Sequence, residues 1–203
     1  MGYAYALKGD WLKAEASCLQ AIETAKIHEL TDWEPYAYFT MAEVAWSFRK
    51  DEIAVHYYRK AAELYGKSDE IIMVGNGAYT AGMEAFLHND LASAEKYFQT
   101  ALKAYYKGGW YNDMASCLEA LALCRIQDGR FEKTVLLHGA AASCRGWKIS
   151  DLQASLIIRH KVETLLEPIR AGLGESRYAE LLREGECVSV ETAEAYAQRI
   201  NPK

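Results

Sequence analysis

The stretch GDWLKAEASCLQAI, Gly9 to Ile22, decides how this chain folds, because it returns three times. It comes back as KDEIAVHYYRKAA (Lys50 to Ala62), as NDLASAEKYFQTAL (Asn89 to Leu102) and as GRFEKTVLLHGAAA (Gly129 to Ala142). Aligned, these put Ala14, Ala54, Ala94 and Thr134 at one position. Four residues on come Cys18, Tyr58, Phe98 and His138, and three further come Ala21, Ala61, Ala101 and Ala141. The interval is 40 residues each time. The whole chain holds 31 alanines in 203 residues, so composition alone does not put seven alanines into eight small-residue slots.

The physics of this repeat is that of a helical hairpin. Turns rich in Gly, Asn and Asp (Gly9-Asp10, Lys50-Asp51, Asn89-Asp90, Asp128-Gly129) separate stretches of helical period. Upstream of the turns, MAEVAWSF, TAGMEAFL and LEALALCRI read as first helices, with apolar residues three and four apart. Second helices are expected to end near His28-Glu29, Tyr65-Gly66, Lys107-Gly108-Gly109 and Arg145-Gly146. Small residues let paired helices approach, and the larger residue between them fills a neighbour's groove. A lone hairpin cannot bury its apolar face, so stacked neighbours must supply the core. The expected fold is all-α: a right-handed α-α superhelix (solenoid) of four hairpins over residues 1–150, the first truncated. Residues 151–203 break the period and are expected to form a C-terminal helical cap. There Asp151 is a candidate helix cap, Pro168 is expected to kink or break the long stretch, and Ser189 is expected to cap the final helix.

This pattern resembles the tetratricopeptide repeat (TPR). The match is strongest in the first unit, where Gly2, Tyr5, Gly9, Trp11, Ala14, Cys18 and Ala21 follow the family's spacing. The period departs from it, at 40 residues rather than 34. The tail resembles the C-terminus of bacterial signal-transduction ATPases of the STAND class, including LuxR/MalT-like and AfsR-like transcriptional regulators. The residues that carry this are Leu173-Gly174-Glu175-Ser176-Arg177-Tyr178-Ala179, Glu184-Gly185, and Val188-Ser189-Val190-Glu191-Thr192-Ala193 with Tyr196-Ala197. The segment Leu136 to Trp147 resembles the hinge into that tail. The resemblance implies a sensor or partner-binding region lying C-terminal to a nucleotide-binding domain, with Met1 the cut end of a longer natural chain. It carries over no active site.

Charge and composition narrow the chemistry. The chain has 23 Lys+Arg against 28 Asp+Glu, a net charge of −5, with no dense basic block, so direct nucleic-acid binding is not expected. The longest stretch free of charge, Ile71 to Met83, is broken by Gly75 and Gly77, so no membrane span is expected either. Five scattered cysteines without C-x-x-C spacing point to buried free thiols in a cytoplasmic protein, with no metal site and no cofactor. Gly75-Asn76-Gly77 lacks the rest of a phosphate-binding loop and reads as an entry into a first helix.

Function is therefore expected in the concave groove. Mapped by the 40-residue register, its lining is Tyr36, Phe39, Glu43 and Trp46, then Asn76, Tyr79, Met83 and Phe86, then Ser116, Glu119, Leu123 and Gln127. Tyr and Trp anchor interfaces because they bury much area at little entropy cost. The groove carries no Lys or Arg, which disfavours a clamp for acidic chain ends and favours an aromatic or basic peptide, a partner's helix or a small-molecule inducer. Trp46→Ala or Tyr79→Ala is expected to weaken such binding. Trp33, Trp110 and Trp147 sit near repeat junctions and are expected to pack beneath the following unit. The leading expectation is a non-enzymatic binding module, its partners including the upstream domains of a parent chain. The alternatives are a free-standing adaptor or peptide-pheromone receptor, and an enzyme in which Glu43 and Glu119 form a carboxylate pair.

Overall fold

A computed structural model describes residues 1–145 and 155–199 of the chain. Trp147 and Asp151 lie outside the described residues. Those residues are all helical, without a strand: α1 (Gly2–Leu7), α2 (Trp11–Ile27), α3 (Trp33–Ser47), α4 (Asp51–Tyr65), α5 (Ile71–Leu87), α6 (Leu91–Gly108), α7 (Tyr111–Gln127), α8 (Phe131–Cys144), α9 (Ser155–Leu173), α10 (Glu175–Glu186) and α11 (Val190–Arg199). Among them, no helix is long and apolar enough to cross a membrane.

The 40-residue period is visible in the backbone. Second helices begin at Trp11, Asp51, Leu91 and Phe131. Two residues before each sits one in the left-handed region: Gly9, Arg49, Asn89 and Gly129, with φ of 74, 59, 60 and 70°. The next amide then reaches back five residues, Asp10 to the Tyr5 carbonyl, Lys50 to Ala45, Asp90 to Ala85 and Arg130 to Arg125, at 2.8–3.0 Å. This closing bond satisfies carbonyls that a helix end would otherwise leave orphaned. The turn recurs at two repeat junctions, where Glu29 and Gly109 take the left-handed conformation. Asp10 and Asp90 then cap their helices by accepting from the amides of Lys13 and Ser93.

The chain divides into two compact units, Met1–Ala94 and Glu95–Lys203, with the division inside α6. In the first, α1 and α3 pack on α2, α4 on α3, and α5 on α4. Ala14, Ala54 and Ala61 are fully buried there, and Tyr58 fills the large position between small ones. Ala21 differs: it is exposed. Helix α1 has six residues where α3 and α5 have 15 and 17, so it is too short to extend along the C-terminal half of α2 as a full first helix would. Gly75 and Gly77 lie inside α5 rather than at its entry. A Cβ on Gly77 would meet Tyr65 Cβ at 3.2 Å, so this glycine lets the end of α4 come close.

In the second unit, α7 and α8 form the fourth hairpin, and α9, α10 and α11 cover it. Helices α9, α10 and α11 therefore share a compact unit with that hairpin. Helix α10 crosses α8 at two glycines. A Cβ on Gly185 would meet the Leu136 carbonyl oxygen and Gly139 Cα, and one on Gly139 would meet the Leu182 carbonyl oxygen. Outside that crossing, Arg177 clasps Glu132 of α8 with two bonds of 2.8 and 3.0 Å. Pro168 lies within α9, which continues past it to Leu173. Gly174, with φ of 81°, turns the chain into α10. Ser189 precedes α11, and its hydroxyl meets that of Thr192 at 3.1 Å.

Candidate functional site

The first-helix positions of α3 and α5 meet in matching register. The rings of Phe39 and Tyr79 lie 5.8 Å apart, and those of Trp46 and Phe86 lie 6.2 Å apart. Both pairs are separated by 40 residues in sequence. Two equal offsets at positions seven apart mean that α3 and α5 run side by side and parallel. The correspondence extends to backbone bonding, where the Thr40 and Thr80 hydroxyls donate to the carbonyls of residues 36 and 76.

This face is mostly interior. Phe39, Glu43, Trp46, Tyr79, Met83 and Phe86 are buried, while Tyr36 and Asn76 are half-buried. In the second unit, Ser116, Glu119 and Leu123 are buried and Gln127 is exposed. Truncating Trp46 or Tyr79 to alanine would therefore hollow a core, at about 3–5 kcal/mol, before it told anything about a partner.

The two glutamates have separate environments. Glu43 is fully buried in the first unit and accepts from Tyr58 Oη at 2.9 Å. Burial, and then the Glu43 charge, push the Tyr58 and Tyr3 phenols well above their ordinary range. Glu119 is fully buried in the second unit, where Arg145 is ion-paired to it and His138 Nδ1 lies 3.5 Å away. It takes the register position of Phe39 and Tyr79, and Arg145 caps the C-terminus of α8. The ion pair thereby ties the end of the fourth hairpin's second helix to its first.

One aromatic run leads out of the core of the first unit. From buried Phe39 it passes to half-buried Tyr36, 6.3 Å away, and on to Trp33, 6.2 Å further. Trp33 is 63% exposed, so it does not pack beneath the following unit as expected. It occupies the first position of α3, with Tyr36 as its ring neighbour. Trp110 is partly buried. The signal for Trp33 was its spacing, three residues before Tyr36 and six before Phe39, which puts all three along one helix face.

The segments that lead into α3 and α5 are acidic in sequence: residues 26–34 and 66–74 hold five carboxylates (Glu29, Asp32, Glu34, Asp69, Glu70) and two lysines. Lys26 is occupied, its ammonium 5.4 Å from the Tyr38 ring centre. The hairpin-turn segments 8–13, 48–53 and 88–93 hold four of each sign. Ile71 and Val74, at the start of α5, add 40% and 43% exposed apolar side chains.

The cysteines are free, with Cys18, Cys117, Cys124 and Cys144 buried and Cys187 exposed. Burial raises the Cys18 thiol to about 11 and the Cys124 thiol to about 12. No protein-family model matches the chain, and neither the curated proteins nor the solved structures provide a match.

Proposed function

We propose that the chain is a non-enzymatic, tetratricopeptide-like partner-binding module that takes a basic, aromatic-bearing segment of another protein at the start of α3 and α5. The observation that carries this reading is the run from buried Phe39 through Tyr36 to exposed Trp33, at the start of a helix whose entry segment carries Glu29, Asp32 and Glu34. An exposed tryptophan backed by a fixed aromatic column binds with little loss of entropy. The charges of Asp32, Glu34, Asp69 and Glu70 favour basic partners and reject acidic ones.

Helical hairpins on a fixed period and the tail's likeness to STAND-class regulators support a place in the C-terminal sensor region of a cytoplasmic bacterial regulator. In that setting, partner binding would bias how the module packs against a nucleotide-binding domain. The direct test is titration with a labelled amphipathic peptide of Lys, Leu and Trp, against a counterpart carrying Glu at every Lys. The basic peptide should bind, and Trp33→Ala should weaken it by roughly 1–3 kcal/mol. Glu70→Lys should weaken it most at low salt. Equal affinity for the two peptides, or no effect of Trp33→Ala, would refute the assignment.

A further inference from the structure

We draw no further inference here: the strongest candidate, the exposed aliphatic stripe of Leu12, Leu19 and Ile27 along α2, is an unpartnered helix face, and nothing in the structure shows what covers it.

Discussion

At the scale of single residues, the hairpin turns use one backbone conformation with unequal side chains. Gly9 and Gly129 adopt it without penalty, Asn89 tolerates it, and Arg49 carries a Cβ into it at about 1–2 kcal/mol. Arg49→Gly should therefore stabilise the first unit by up to about 1 kcal/mol, after the greater freedom of glycine in the unfolded chain is offset. Gly129→Ala should destabilise the second unit by a similar amount. Urea denaturation of the two variants reads both, and a loss of stability in Arg49→Gly would contradict the account. Tyr58→Phe removes a donor from the buried Glu43 carboxylate and should cost about 1–3 kcal/mol, measured the same way.

At the scale of elements, helix pairs are set by which slots are small. Ala61 is fully buried and Ala21 is exposed, although they share a register position. Ala61→Leu should cost about 1–3 kcal/mol by overpacking, whereas Ala21→Leu should stay within about 0.5 kcal/mol of the parent chain. Gly185→Ala should be among the most damaging small changes, at about 3 kcal/mol, because its Cβ would meet the α8 backbone. The Arg177–Glu132 clasp beside that crossing has a pH signature. Bonding to Arg177 holds the Glu132 carboxyl below its ordinary 4.5. A depressed carboxyl stabilises above its unfolded value, and that contribution is lost as pH falls through the folded one. Glu132→Gln should thus lower the thermal midpoint at neutral pH, with the difference from the parent shrinking below about pH 4.

The helical hairpins were legible in the sequence because small residues and turn residues recur at one spacing, and a recurring spacing survives uncertainty about any single helix. The ends of α2, α4, α6 and α8 fall where Gly, His and Arg interrupt the pattern. The interior character of the α3 and α5 face was not legible. Phe39 and Trp46 suit a groove or a core equally well by type, and only the side-by-side approach of α3 and α5 decides between them. Of the two outcomes expected at Pro168, a kink or a break, the break does not occur: α9 continues past it to Leu173, and α9 packs on α7.

At the scale of the whole molecule, burial divides the five thiols. Native chain should react with a thiol reagent at Cys187 first and fast, and at the other four only on unfolding, so a titration should count one accessible thiol before denaturation and five after it. The deeper claim is that α3 and α5 meet in the register of the repeat, so that residues 40 apart on these two helices are neighbours, because the aromatic column and the proposed partner site depend on it. Ring-to-ring nuclear Overhauser effects in the full chain test this most directly. The account predicts contacts between Phe39 and Tyr79 and between Trp46 and Phe86, whose ring centres lie 5.8 and 6.2 Å apart. Absence of both, or contacts at a shifted register such as Trp46 with Tyr79, would contradict it.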